Sequence, residues 1–196
     1  MSRKTSKNMI LMIGIDVLMV VTTVFFEILY RKYGQGWMLS VYVTFLTISY
    51  HFVMRLAVGE FVTVRYRNRK FDLNSIGFRM YAFETAFYKR LKVKQWKKNI
   101  LTAKPEQFDI RENSMEMLLH NMAQAELVHR IIMVLSFVPL VLILPYGAPV
   151  IFILTSLFSC FIDLQFVIIQ RYNRPRVIKL LEMAKNNGQN RAYTRN

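Results

Sequence analysis

The chain has 196 residues, of which 54% are hydrophobic and 14% aromatic, and it carries a net charge of +15 with an isoelectric point near 10.1. Length alone would permit one soluble core, but the apolar residues gather into four long runs with the cations crowded outside them, which excludes an ordinary soluble domain. The single cysteine, Cys160, excludes an internal disulfide, and its place inside the last apolar run suits packing rather than thiolate chemistry.

In chain order, the first run covers about 9–30 and follows Met-Ser-Arg-Lys-Thr-Ser-Lys. It is too long for a cleaved signal sequence and no small-x-small site follows it, so a retained signal anchor is expected. Glu27 and Arg31, four residues apart, read as a local ion pair. The second run, about 37–58, ends in Tyr50-His51-Phe52-Val53-Met54-Arg55, which puts Arg55 about one turn and His51 about two turns inside it. Ionisable groups at that depth are functional candidates, although Arg55 has the simpler alternative of snorkelling to the headgroups. Asp16 and Asp163 fall in the same halves of runs one and four and offer partners for Arg55, His51 or an imidazole.

The segment 59–126 is rich in Lys and Arg. Met80, Phe83, Phe87 and Leu91 recur at helical spacing among Lys89, Arg90, Lys94, Lys97 and Lys98, which predicts an amphipathic helix over about 78–98 lying in the headgroup plane. Trp96 suits that depth, and Glu84 is a polar candidate within it. The stretch 101–108, broken by Pro105, reads as a turn. Asn113-Ser114-Met115-Glu116 reads as a capping box opening a helix that runs through His120 and Glu126 into the third run, about 127–144, with Pro139 as a kink position. The fourth run spans about 148–169, Pro175 is expected to end its helix, and a polar tail, 177–196, is expected to be disordered beyond Asn186.

Each run is about long enough for a ~30 Å hydrocarbon core, so the expected fold is all-α: one four-span integral membrane domain, 1–196, with a cytoplasmic amphipathic helix between spans two and three. The turn Pro145-Tyr146-Gly147 has no charge, whereas both tails and the long loop are basic. The positive-inside rule then makes both termini cytoplasmic. Attraction to anionic membrane lipid, worth about 1 kcal/mol per well-placed cation, accounts for this charge without nucleic acid, and the same face suits a phosphate-bearing ligand. Four spans make a thin bundle, which leaves room for a homodimer.

The chemistry-bearing residues converge on that side. Glu126 and His129, spaced i, i+3, share one side of a helix, as a base and the carboxylate that orients it or as an ordinary interfacial ion pair. Arg171, Tyr172, Asn173, Arg174 and Arg176 follow span four, and arginine forks suit phosphate or carboxylate. His51, His120 and His129 lack a tight metal-ligand pattern, so no metal or other cofactor is expected.

Three segments carry a resemblance: Phe87-Tyr88-Lys89-Arg90-Leu91-Lys92-Val93-Lys94-Gln95-Trp96-Lys97, Ala125-Glu126-Leu127-Val128-His129 and Gln170-Arg171-Tyr172-Asn173-Arg174-Pro175-Arg176. They resemble the bacterial glycosyl-4,4'-diaponeurosporenoate acyltransferase family of small membrane proteins. The chain departs from the family pattern at Asp163-Leu164-Gln165, in place of Asn-x-Pro, and at Lys98-Asn99-Ile100-Leu101, in place of Asp-x-Leu-Pro. The resemblance implies O-acyl transfer from an acyl-CoA or acyl carrier protein thioester to a hydroxyl of a lipid or glycolipid acceptor at the bacterial cell membrane. It implies a reactive role for Glu126 and His129. With the readings of depth and charge above, the candidate catalytic residues are Glu126, His129 and His51, and the candidate substrate contacts are Arg55, Glu84, Trp96, Lys97, Arg171, Tyr172, Asn173, Arg174 and Arg176. A membrane methyltransferase and a non-enzymatic lipid-binding or assembly subunit are the alternatives.

Overall fold

The computed structural model describes residues 7–67, 69, 71–97, 100 and 105–193; Arg3, Lys4, Lys70, Lys98, Lys104 and the first half of the expected turn at 101–108 lie outside the described residues. Among the described residues the chain is helical without strands: α1 Lys7–Tyr33, α2 Gly36–Tyr66, α3 Ala82–Arg90, α4 Val93–Trp96, α5 Met115–Leu135, α6 Ile143–Tyr146 and α7 Pro149–Tyr193, with 3₁₀ turns at Pro105–Phe108 and Val138–Leu142. Four helical segments, Ile10–Tyr33, Gly36–Tyr66, Met115–Tyr146 and Pro149–Asn186, are long and apolar enough to cross a membrane. Their large apolar side chains point outward, as Leu11, Leu18, Phe25, Leu144 and Phe158 show. A soluble protein would bury such faces, whereas lipid solvates them.

Two turns fix the helix order. Gly34 has φ 64° and returns its N–H to the Tyr30 carbonyl, closing α1 one residue beyond its end. Gly147, at φ 66°, closes α6 on the Ile143 carbonyl, and Pro149 then starts α7, where its missing N–H costs nothing. Ser114 caps α5 by accepting from the Met117 N–H at 3.2 Å. Glu116 therefore sits at the second helical position, one short of the reciprocal place in a capping box. The helix opened by Ser114 does run past His120 and Glu126 into the third span, and Pro139 lies in the 3₁₀ turn that follows.

Three expectations about the fold are corrected. The helix expected over 78–98 is two short ones, because Tyr81 is extended and Lys92 adopts φ 52°, a left-handed conformation that interrupts the hydrogen-bond ladder. Pro175 does not end the last helix; α7 carries it internally and continues to Tyr193. An internal proline forfeits one ladder bond and clashes with the carbonyl four residues back, so the flanks of such a helix need other anchors. Arg171 and Arg174, on the N-terminal side, supply them. The polar tail expected to be disordered is accordingly helical over its described part.

The chain divides into two compact units, each built from two separate stretches. The first unit holds residues 1–64 and 128–164, and its apolar centre is Tyr42, Val43 and Phe152, flanked by Phe26, Leu46 and Leu140. The second holds residues 65–127 and 165–196, centred on Leu118, Leu119, Met122 and Val177 with Leu73 and Phe108 against them.

Candidate functional sites

In the first unit, a buried carboxylate joins two bases. Asp163, fully buried on α7, accepts from Arg55 Nη2 at 2.5 Å through Oδ2 and meets His129 Nδ1 at 2.7 Å through Oδ1. An ionised carboxylate only accepts, so Nδ1 carries the proton and Nε2 is the basic nitrogen. Arg55 also donates to Ser159 Oγ at 2.8 Å and to the His51 carbonyl at 3.1 Å. Its head group is thus spent on interior acceptors rather than reaching for headgroups. The chain continues from Ser159 Oγ to Ser136 Oγ at 2.9 Å, and Ser136 donates to the Ile132 carbonyl. With Arg55 donating into Ser159 and Ser136 donating onward, the Ser159 proton points to Ser136 and every hydroxyl proton has one direction. The side chains of His129 and Arg55 keep 20% and 19% of their surface exposed, so this cluster is reachable.

His51, expected among the catalytic residues, lies one turn before Arg55. It is 4% exposed, it packs edge-on to Tyr50, and neither ring nitrogen has a hydrogen-bond partner among the described residues. Asp16 is similarly buried, and both of its oxygens lack partners among the described residues. Glu27 and Arg31 form the expected local pair.

In the second unit, two carboxylates face two arginines. Glu84, buried in the first turn of α3, accepts from the Tyr81 N–H at 3.1 Å, Tyr88 Oη at 2.5 Å and Arg171 Nε at 2.8 Å, with Arg171 Nη2 completing a forked pair. Arg171 Nη1 donates to Glu126 Oε1 at 2.9 Å, and Arg174 pairs with Glu126 Oε2. The arginines also hold the non-helical stretch before α3, Arg171 at the Arg79 carbonyl (2.9 Å) and Arg174 at the Phe78 carbonyl (2.7 Å). Burial pushes the Glu84 carboxyl up, but the hydrogen bonds from Arg171, Tyr88 and the Tyr81 N–H outweigh it and bring it down to about 2. Burial, followed by the bond to Glu84, raises the Tyr88 phenol to about 12.

Beside this network, Tyr172 gathers two cations. Arg176 lies 4.0 Å over its ring and donates to its hydroxyl at 2.5 Å, while Lys97 lies 4.9 Å from the ring centre and donates to Asn173 Oδ1 at 2.6 Å. Burial first, then the charges of Arg176 and Lys94, lower the Lys97 ammonium. Trp96 spends its indole N–H on the Leu91 carbonyl at 3.0 Å.

Sequence reasoning paired Glu126 with His129; the structure gives the carboxylate on His129 Nδ1 as Asp163 and commits Glu126 to Arg171 and Arg174. Asp163, the lone carboxylate of its apolar run, was expected as a partner for Arg55 or an imidazole, and it meets both Arg55 and His129. Tyr88, Ser136 and Ser159 gave no signal. His120, the third histidine, packs tilted against the Phe71 ring.

Four membrane-length helices define a multi-pass membrane protein with ionisable side chains buried inside it. The sequence model of the glycosyl-4,4'-diaponeurosporenoate acyltransferase family matches residues 67–183, more than half of the chain. The chain belongs to that family and is an acyltransferase. No curated protein and no solved structure matches it.

Proposed function

We propose that this acyltransferase moves a fatty acyl group from an acyl thioester, on coenzyme A or acyl carrier protein, to a hydroxyl of a glycolipid-like acceptor at the cytoplasmic face of the bacterial cell membrane. The observation that carries this reading is the hydrogen bond from His129 Nδ1 to the buried Asp163, with Arg55 on the other carboxylate oxygen. A base held in one tautomer by a carboxylate is the arrangement that activates alcohols. The acceptor O–H gives its proton to His129 Nε2 as its oxygen attacks the acyl carbonyl carbon. The tetrahedral intermediate then collapses with cleavage of the C–S bond, and the imidazolium returns the proton to the leaving sulfur. No covalent enzyme intermediate is required.

Within the second unit, the cations suited to phosphates are Lys97 and Arg176. Arg171 and Arg174, expected from sequence to bind them, already face carboxylates, whereas Lys97 and Arg176 crowd like charge around Tyr172, and an anion would relieve that repulsion. Exposed Arg65, Arg67, Lys89, Arg90 and Lys94, all outside the apolar parts of the helices, favour the cytoplasmic side for the second unit.

The test is transfer of radiolabelled long-chain acyl groups by protein in nanodiscs, from acyl-CoA and from acyl carrier protein in parallel, into a total bacterial lipid extract. A labelled lipid formed by wild type and lost in His129→Ala is the expected result. Unchanged labelling by His129→Ala, or none by folded wild type with either donor, would overturn the reading.

A further inference from the structure

Helix α3 turns its polar side inward. Its buried side chains are Glu84 and Tyr88, while Phe83 and Phe87 are 67% and 47% exposed. With Ile76, Tyr81 and Leu91 they make one continuous outward strip. The Tyr81 hydroxyl donates to the Ile76 carbonyl, the Tyr81 and Phe83 rings stack 6.0 Å apart, and Phe83, Phe87 and Leu91 follow at four-residue spacing. Thr85 and Lys89 take the opposite flank of the same helix, so the exposed surface is itself divided into an apolar and a polar side.

Two observations say what covers this strip. The first is position, and it comes from the second unit alone. The fourth apolar run ends at Ile169, and Arg171 stands two residues later on α7, about 3 Å along the helix axis. Arg171 holds Glu84 in a forked pair and also holds the Arg79 carbonyl. Tyr88 packs edge-on to Tyr172, Lys97 reaches Tyr172 and Asn173, and Arg174 holds the Phe78 carbonyl. These contacts tie residues 78–97 to four successive residues of α7, Arg171 to Arg174, which rise only about 4.5 Å. A segment anchored so narrowly lies across α7 instead of along it, in a thin layer where the hydrocarbon run ends. Amphipathic helices rest at that level, with their apolar side immersed by about 5–10 Å.

The second observation is charge. Arg79, Lys89, Arg90, Lys92 and Lys94 are exposed around the strip, and the lone carboxylate of residues 79–97, Glu84, is buried. A second copy laid face to face would set like charges against each other. An anionic lipid surface satisfies both the aromatic strip and the cations beside it.

We propose that residues 76–94 form an in-plane membrane anchor, with Tyr81, Phe83 and Phe87 sunk at the boundary of headgroups and acyl chains. Lys89, Arg90, Lys92 and Lys94 meet the phosphates of anionic lipid, and the Glu84–Arg171 pair fixes the height of the anchor on α7. The anchor is independent of the acyl-transfer reading, and its test needs no substrate.

The test places a nitroxide spin label on Phe83→Cys, Phe87→Cys or Thr85→Cys, all exposed positions, each in a Cys160→Ser background. In liposomes of mixed phosphatidylglycerol and phosphatidylcholine, collision with lipid-soluble oxygen is compared with collision with a water-soluble nickel chelate. The oxygen-to-nickel ratio is expected to be at least about threefold higher at positions 83 and 87 than at 85. Equal ratios would leave the strip in water for a soluble partner, and spin–spin broadening at 83 or 87 would give it to a second copy of this chain. Either result overturns the proposal. A second arm reads the charge. In phosphatidylcholine alone the ratio at 83 and 87 is expected to fall by about half or more, as it is in mixed lipid when Lys89→Gln, Arg90→Gln, Lys92→Gln and Lys94→Gln are combined. A ratio indifferent to either change would overturn anionic lipid as what the strip rests on.

Discussion

The two ionic clusters of this protein use the same side-chain types in opposite ways. In the second unit, Glu84 and Glu126 meet Arg171 and Arg174, so charge is balanced and side-chain exposure is 7% or less throughout. In the first, Asp163 stands between one permanent cation, Arg55, and one titratable base, His129, whose side chain keeps 20% of its surface exposed. A network in which each carboxylate already faces an arginine takes up no proton until strongly acid pH, so it orders structure. An ion pair with an imidazole attached includes a ring that can exchange a proton, which suits it to the acid–base role proposed for it. The residue types did not distinguish the two; the partners did.

The strongest way to break this contrast is to open the closed network. Arg174→Ala leaves Glu126 buried with one partner fewer and removes an anchor beside Pro175; loss of one member of such a pair costs about 3–5 kcal/mol. Thermal melts in detergent should show it as a large drop in midpoint, and a melt like wild type would mean the network does not hold the fold. Acid provides a second probe. The folded Glu84 carboxyl lies at about 2, below its ordinary 4.5, so its contribution is present above pH 4.5 and is lost as pH falls toward 2. That loss is on the order of 3 kcal/mol, and Glu84→Gln should flatten this part of the stability–pH curve. An acid limb identical to wild type would remove Glu84 from the network's energetics.

Smaller effects sharpen the other side of the comparison. Asp163→Asn keeps an oxygen for the His129 Nδ1–H but removes the charge facing the imidazolium formed during transfer. Turnover should fall roughly tenfold with little change in KM, as expected for a weakened general base. A change confined to KM would make Asp163 a binding residue instead. Lys97→Gln and Arg176→Gln should each raise KM for acyl-CoA a few-fold with turnover nearly constant, since a single half-exposed cation contributes about 1 kcal/mol or less. Equal loss of turnover would move these two residues from donor binding to the reaction itself.

The spans were legible because membrane length and the exclusion of charge act on contiguous residues, and the start of α5 at Ser114 was legible because capping is local. What failed was non-local. Glu126 and His129 are neighbours along α5, yet the ion partners the structure gives them come from α7, Asp163 34 residues away and Arg171 45 residues away. Helical spacing says which residues share a side of a helix, and it is silent about which helix faces that side. Pro175 misled for a similar reason: its local cost is real, but Arg171 and Arg174 anchor the helix through contacts the local sequence does not contain. Glu84 was only a polar candidate, and Tyr88 gave no signal, in a segment whose aromatic spacing predicts a helix resting its apolar side on the headgroup plane. In the structure Phe83 and Phe87 point outward while Glu84 and Tyr88 point in.

The most direct test of the contrast compares His129→Ala with Glu126→Gln, measuring acyl transfer and thermal midpoint on the same preparations. For His129→Ala, transfer should fall by roughly 10²–10⁴-fold with the midpoint preserved. For Glu126→Gln, the midpoint should fall while the transfer that remains tracks the folded fraction. A Glu126→Gln protein that melts like wild type but transfers nothing, or a His129→Ala protein that transfers normally, would contradict the assignment of chemistry to one cluster and architecture to the other.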